Sequence, residues 1–128
     1  MAVSGSDFLQ AAEVYKDLES EIGYRMCVGR SYYAMYHLVK DLLTGDVPPC
    51  NKGGMHESLV VYLKNHNAEP YCKKELRKLS YILTQGKTLR READYELDSD
   101  DINKETAEAQ MQQALKLIGI CDELQSAA

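Results

Sequence analysis

The residues best suited to chemistry lie in one octapeptide, Arg-Ser-Tyr-Tyr-Ala-Met-Tyr-His, which spans residues 30–37. In a helix with 3.6 residues per turn, positions seven apart are about 20° from alignment, so Arg30 and His37 would share one face. Tyr33 would lie between them on that face. The spacing therefore predicts a fixed positive charge, an aromatic ring and a titratable imidazole on one side of a helix.

Arg30 and His37 have the properties needed to cleave a phosphodiester without a metal ion. An arginine stays charged and donates a planar fork of hydrogen bonds to phosphate oxygens, while imidazole, with an ordinary pKa of about 6.5, exchanges protons near neutrality. A single histidine cannot both activate a ribose 2′-hydroxyl and protonate the leaving 5′-oxygen, so a two-fold dimer would complete the site. By spacing alone, the more common case is structural, with acidic neighbours satisfying both side chains inside a bundle.

Length and composition bound the possible function classes. The chain has 128 residues, 45% of them hydrophobic, which fits one domain with one core over residues 1–128. Its formal net charge of −5 argues against a protein that coats nucleic acid by charge alone. No window reaches the roughly 20 apolar residues of a membrane span, and the first residues do not resemble a leader peptide, so we expect a cytoplasmic protein with no membrane partner.

The four cysteines predict neither a disulfide framework nor a metal site. Cys27 and Cys121 fall in apolar helical patterns, where a free thiol behaves as a small hydrophobic group. The other cysteines and the nearby histidines lack the close pairs of a zinc site; these residues are Cys50, His56, His66 and Cys72. We therefore expect no metal and no other cofactor.

Hydrophobic periodicity predicts an all-α protein. The predicted helices run from Ser4 or Ser6 to about Leu18, from Ile22 to Leu43, from Met55 to Asn65, from Tyr71 to about Arg91, and onward from a cap at Ser99, Asp100 or Asp101. The third segment has β-branched residues, but no second strand is available to pair with it. Gly86 is a candidate kink or end of the fourth helix. Short connections between long helices predict a four- to five-helix up-and-down bundle with its second and fourth helices near the centre.

The last predicted helix should bury one apolar stripe. Its expected core residues are Ala107, Met111, Ala114, Leu115, Ile118 and Cys121.

A second functional signal is the asymmetric distribution of charge. Residues 73–91 contain seven basic residues and one acidic residue, whereas residues 92–101 contain six acidic residues. The candidates for binding an RNA backbone are Lys73, Arg77, Lys87, Arg90 and Arg91. The alternative is a solvated basic face that pairs with the acidic segment.

His56 and Tyr33 are candidate supporting residues. His56 follows two glycines at a predicted helix start, where backbone amides favour anions, so it could help to hold a phosphate. A loop or capping role fits His56 equally well. A Tyr33 hydroxyl can orient a phosphate and its ring can stack on a base, although a core or interface aromatic is the more usual role.

Three segments resemble signatures of the HEPN domain family. Residues 29–43 are similar to the helix that carries the family's motif. That motif commonly reads Arg, two residues, Tyr-Tyr-Ala, two residues, then His. Here the pattern departs by one step, because Tyr-Tyr begins two residues after Arg30. The other two segments are His56-Glu-Ser, after a glycine loop, and Arg90-Arg-Glu-Ala-Asp-Tyr95. Together the three cover about residues 8–124. The resemblance implies that Arg30 and His37 form an Arg-x(4–6)-His motif at a homodimer interface, with Ser31 as the polar residue after the arginine.

The resemblance also implies a function. It points to a small prokaryotic HEPN ribonuclease, a metal-independent endoribonuclease that acts as a toxin or defence effector on RNA, with a minimal nucleotidyltransferase as a partner that neutralises it. It further suggests that Asp94 and Tyr95 anchor the last helix by hydrogen bonds. The non-enzymatic alternatives are a catalytically inactive module that binds a nucleotide or such a partner, and a structural helical adaptor.

Overall fold

The computed structural model describes residues 3–65 and 67–127, which form five α-helices and no strand. The helices are α1 (Gly5–Lys16), α2 (Glu21–Leu42), α3 (Met55–Lys64), α4 (Lys73–Tyr95) and α5 (Lys104–Ala127). The prediction of an all-α bundle is confirmed, including a helix at α3 despite its β-branched residues. His66 lies outside the described residues. None of the helices is long and apolar enough to span a membrane.

Polar caps fix where the first two helices begin. Ser4 precedes α1, and its backbone amide donates to the Asp7 carboxylate at 2.8 Å. Ser20 precedes α2, and its hydroxyl accepts from the Gly23 amide at 3.2 Å. Both caps satisfy backbone groups that have no partner within the helix, so α2 starts at Glu21 and carries residues 30–37 in its middle.

Helix α2 is the central element of the bundle. It packs against α1, α4 and α5, while α3 packs mainly on α4. A large apolar cluster fills the space between α2, α3, α4 and α5, with Tyr32, Met35, Leu63, Leu79, Leu83 and Leu117 among its most buried members. A smaller cluster lies nearer the start of α2 and consists of Ala12, Cys27, Val28, Ala93, Ile102 and Ala107. The four cysteines are free thiols.

Of the predicted core positions of α5, Ala107, Ala114 and Cys121 are buried, Met111 and Ile118 are partly buried, and Leu115 is wrong. Leu115 is 48% exposed, whereas Leu117 is wholly buried. The buried positions follow a helical spacing, Ala107, Gln110, Ala114, Leu117, Cys121 and Leu124. Leu115 lies about 100° around the helix from Ala114, which turns it away from α2.

Gly86 does not end α4, which runs through it to Tyr95. A Cβ at this position would lie 3.0 Å from Met35 Sδ and 3.3 Å from the Tyr32 ring, so glycine permits the close approach of α4 to α2. The Gly86 carbonyl also accepts a hydrogen bond from Gln110 Nε2 at 3.0 Å. Arg90, one turn further along α4, is thereby brought to the Tyr32 side of α2.

The last helix is anchored differently from the expectation. Tyr95 is exposed and belongs to the last turn of α4, and Asp94 contacts Arg90 within the same helix. The buried Arg25 of α2 instead holds the α4 C-terminus and the segment that leads to α5. Asn103 then caps α5, since its Oδ1 accepts from the Thr106 amide at 3.1 Å.

A buried carboxylate organises the segment after α2. Glu69 accepts hydrogen bonds from the Thr44 amide at 2.8 Å, the Gly45 amide at 3.0 Å and the Tyr62 hydroxyl at 2.5 Å. Burial alone would raise the pKa of Glu69, but these hydrogen bonds to its charged form lower that pKa below its ordinary value. Burial, together with the hydrogen bond to Glu69, raises the pKa of Tyr62 to about 12.

We expect Glu69→Gln to lower the free energy of unfolding at pH 7 by about 1–3 kcal/mol, because hydrogen bonds to a charged acceptor are replaced by neutral ones. Since the folded-state pKa is depressed, this stabilisation is present above the ordinary value of 4.5 and is lost as pH falls through the lowered pKa. Urea unfolding at pH 7 and at pH 3 tests it, with the exposed Glu108→Gln as the control. A gap between wild type and Glu69→Gln that is equally large at both pH values would contradict this account.

Candidate functional site

The predicted face of α2 carries Arg30, Tyr33 and His37 in a continuous row of contacts. The Arg30 guanidinium lies 5.4 Å from the Tyr33 ring centroid. The His37 ring stacks on Phe8 of α1 at 5.1 Å, and Phe8 in turn lies 6.2 Å from Tyr33. All three α2 residues are partly exposed, so a ligand can reach them.

Helix α4 adds a second guanidinium to this row. The Arg90 guanidinium lies 5.7 Å from the ring centroids of both Tyr32 and Tyr33. Its side chain is only 11% exposed and contacts Asp94 at 3.4 Å. Arg30 and Arg90 therefore both face Tyr33, although they are 60 positions apart in the sequence.

Helix α3 adds a second histidine. His56 Nδ1 lies 2.7 Å from the Tyr32 hydroxyl, and its ring lies 4.3 Å from Tyr36 and 5.9 Å from Tyr33. Burial lowers the pKa of His56, and the charges of Arg90, Lys87 and His37 lower it further. His56 is therefore neutral at pH 7.

The contact with Tyr32 involves Nδ1 of His56. Burial is the main cause that raises the pKa of Tyr32, so its phenol stays protonated, and a protonated phenol can either donate to Nδ1 or accept from it. A neutral imidazole that accepts at Nδ1 carries its hydrogen on Nε2. In the tautomer in which Tyr32 donates, His56 presents an N–H donor, rather than a base, to a ligand.

We call Phe8, Arg30, Tyr32, Tyr33, Tyr36, His37, His56 and Arg90 the cationic cluster. Within the described residues, Nε of Arg30 and Nε of Arg90 are buried and have no hydrogen-bond partner. Asp94 is the carboxylate that contacts Arg90, and Arg30 forms no ion pair with any residue that the structure describes. Two partly buried arginines, each with an Nε that has no described partner, fit an oxyanion that would accept from their guanidiniums.

Ser31 does not belong to the cluster. It is wholly buried next to Cys27, toward the smaller apolar cluster. No ligand can reach its hydroxyl in this position, so its expected supporting role in the site does not fit the structure.

The predicted RNA-backbone residues have separate environments. Lys73 donates to the Asn67 side chain at 2.8 Å and to the Glu69 carbonyl at 2.8 Å, so it holds the segment between α3 and α4. Lys87 pairs with Glu57 of α3 at 3.7 Å beside the cluster. Arg77 and Arg91 are exposed on α4. Only the C-terminal half of α4 therefore adds positive charge to the site.

Sequence reasoning missed the roles of Phe8 and Tyr32. Phe8 is the single phenylalanine of the chain, and nothing in its local pattern indicates contact with His37. Tyr32 reads as a core aromatic, and its hydrogen bond to His56 depends on how α3 docks against α2.

Comparisons of the chain with protein-family models, curated proteins and solved structures give no match. The function of the cationic cluster is therefore inferred from its own geometry and chemistry.

Proposed function

We propose that this protein is a metal-independent endoribonuclease of the HEPN type, which acts in the cytoplasm as a toxin or defence effector. The observation that carries the proposal is that the guanidiniums of Arg30, on α2, and Arg90, on α4, both lie beside Tyr33. The Tyr33 ring contacts the His56 ring directly and is linked to the His37 ring through Phe8. Guanidiniums stabilise the charge that develops on a phosphorane, and imidazoles are suited to the proton transfers.

The reaction is an internal transesterification of RNA. His37 removes the proton of a ribose 2′-hydroxyl, and the 2′-oxygen attacks phosphorus. The bond from phosphorus to the 5′-oxygen breaks, and that oxygen receives a proton, which leaves a 2′,3′-cyclic phosphate and a 5′-hydroxyl. Arg30 and Arg90 donate to the non-bridging oxygens throughout, and His56 donates to one of them from Nε2.

The leaving oxygen requires an acid that His56 does not supply, because neutral imidazole with a hydrogen on Nε2 is a poor acid. In the proposed homodimer, His37 of the partner subunit in its protonated form supplies that proton. A two-fold axis near the exposed side of α2 brings the two copies together. A minimal nucleotidyltransferase that covers this face is the proposed neutralising partner.

We expect Arg30→Ala and His37→Ala each to reduce RNA cleavage in EDTA by about 100-fold or more, as is usual when a positioned proton donor or charge-stabilising donor is lost. The measurement is the rate at which a labelled RNA is cut, with the 2′,3′-cyclic phosphate end identified by mass spectrometry. The exposed Lys104→Ala is the control for a change of charge elsewhere.

RNA left intact by the wild-type protein would exclude the ribonuclease. Cleavage that survives in both variants would exclude this site. Sedimentation of the wild type as a strict monomer at micromolar concentration would exclude the composite site, because a single His37 cannot make both proton transfers.

A second candidate function is nucleotide binding without cleavage. The specific observation in its favour is the Tyr32 contact at Nδ1, which leaves Nε2 of His56 available to donate to a phosphate oxygen in the tautomer that protonates it. Calorimetric titration with nucleotides tests it, and binding by a protein that leaves RNA intact would favour this module over the enzyme.

A further inference from the structure

A cavity of about 630 Å³ adjoins the cationic cluster. It lies between the end of α2, residues 43–49 and the start of α3. Tyr36 connects the two regions, since it lines the cavity and also contacts His37 at 5.2 Å and His56 at 4.3 Å. A molecule bound in the cavity would therefore lie close to the His37 and His56 rings of the cluster.

The walls of the cavity are held in place by buried hydrogen bonds. The Glu69 carboxylate fixes the Thr44 and Gly45 amides on one side. On the other side, the Ser58 hydroxyl accepts from the Cys50 amide at 3.1 Å and donates to the Gly54 carbonyl at 3.0 Å. The cavity is thus largely formed before any ligand arrives, as small-molecule sites usually are.

Two opposite charges line the cavity without neutralising each other. Lys40 lies over the Tyr36 ring at 5.9 Å and forms no ion pair with another described residue. The Asp46 carboxylate likewise has no hydrogen bond or ion pair from the described part of the chain. Because the lining carries one charge of each sign, its net charge does not favour a second phosphate, which belongs with the two arginines.

A guanine base matches this lining. Its ring N–H and exocyclic amine present two adjacent donors to a carboxylate, and its carbonyl oxygen accepts from an ammonium, as lysine does at guanine in other complexes. Leu43, Val47 and Leu59 supply apolar surface for the ring. Adenine and cytosine lack the paired donors next to an acceptor, so they fit Asp46 and Lys40 less well.

We infer that the cavity is the base-binding subsite of the proposed nuclease and that it selects guanosine next to the cleaved phosphate. The inference rests on the proposed function for its biological meaning, but the cavity binds a guanosine nucleotide whether or not RNA is cut. Asp46 and Lys40 are the residues that determine the specificity.

The test is calorimetric titration with guanosine 3′-monophosphate and with cytidine 3′-monophosphate. We expect the wild type to bind the guanosine nucleotide about tenfold more tightly, which is the discrimination expected of one paired set of hydrogen bonds. Asp46→Asn should lose about that factor for guanosine and leave the cytidine affinity unchanged. Asp41→Asn is the control, since Asp41 is also exposed near the end of α2 but does not line the cavity.

Equal affinities for the two nucleotides, or equal effects of Asp46→Asn and Asp41→Asn, would overturn the subsite. Guanosine binding that depends on Asp46, in a protein that leaves RNA intact, would support the guanosine subsite and exclude the proposed ribonuclease function. RNA cleavage without a preference for guanosine, together with no guanosine binding in the cavity, would support the ribonuclease function and exclude the proposed guanosine subsite.

Discussion

Arg25→Met should lower the free energy of unfolding by about 2–4 kcal/mol, because it removes one charge-assisted network that closes a helix end. Arg25 is only 4% exposed. Its guanidinium donates to five backbone carbonyls at 2.8–3.4 Å, those of Glu92, Ala93, Glu96, Leu97 and Ser99. Methionine fills similar space but donates to none of these carbonyls. Those of Glu92 and Glu96 keep the backbone amides of Glu96 and Ser99, whereas no other described group donates to the carbonyls of Ala93, Leu97 and Ser99.

The position of those carbonyls explains why the effect is large. They lie at and just after the C-terminus of α4, where backbone carbonyls have no partner within the helix and the dipole favours a positive charge. The last turn of α4 contains no basic residue of its own. Arg25 of α2 therefore supplies both the hydrogen bonds and the charge from another part of the chain.

Urea unfolding of three variants measures the contribution of Arg25. Arg25→Lys keeps the charge but has a single ammonium. It cannot reach both the carbonyls that accept from Nη1 of Arg25 and those that accept from Nη2, so we expect this variant to lose most of the same stability. Arg77→Met is the control on an exposed face of α4 and should stay within about 0.5 kcal/mol of the wild type. Equal losses for Arg25→Met and Arg77→Met would contradict the anchoring role.

The helices were predictable because their signals are local. Ser4 and Ser20 precede helices whose apolar residues recur at helical spacing, and the glycine-rich segment before Met55 separates α2 from α3. The β-branched run at residues 60–61 is helical, and the residues that the structure describes contain no strand that could pair with it. In these cases the residues within a few positions of each helix are enough to predict where it lies.

The errors occurred where a distant residue decides the local structure. Helix α4 extends to Tyr95 since Arg25, about 70 positions away, satisfies its end. Gly86 looked like a break, but it lies where α4 packs closely against Tyr32 and Met35 of α2. Glycine has the same local preference in both situations, so only the packing distinguishes them.

The candidate site likewise has one part that the sequence predicts and another that depends on how distant helices pack. A spacing of seven residues was enough to place Arg30 and His37 on one face of a helix. The sequence could not show that His56 and Arg90 meet at Tyr33, because that contact depends on how α3 and α4 dock. It also could not show that Ser31, adjacent to Arg30, turns into the core, since neighbours on a helix differ by about 100°.

Arg90→Gln should weaken the binding of a non-cleavable RNA, with deoxyribose at the cleaved position, by roughly 10–100-fold, whereas Arg91→Gln should have a much smaller effect. Both changes remove one positive charge from neighbouring positions of α4, so long-range attraction falls equally. Only Arg90 lies beside Tyr32 and Tyr33 with a buried Nε that has no described partner. A lost hydrogen bond to a charged ligand costs about 1.5–3 kcal/mol, which corresponds to that range of affinity.

The protonation of His56 provides a second readout, which does not depend on RNA. After burial, the charge of Arg90 is the largest cause of the lowered His56 pKa. Arg90→Gln should therefore raise that pKa, while Arg91→Gln should leave it nearly unchanged, and an NMR titration of the imidazole protons measures both. If the two variants had equal effects on RNA affinity and on the His56 pKa, Arg90 would contribute only general positive charge. A selective effect of Arg90 on both quantities is what the shared contacts at Tyr32 and Tyr33 require, since they place one guanidinium next to both the second histidine and the proposed phosphate.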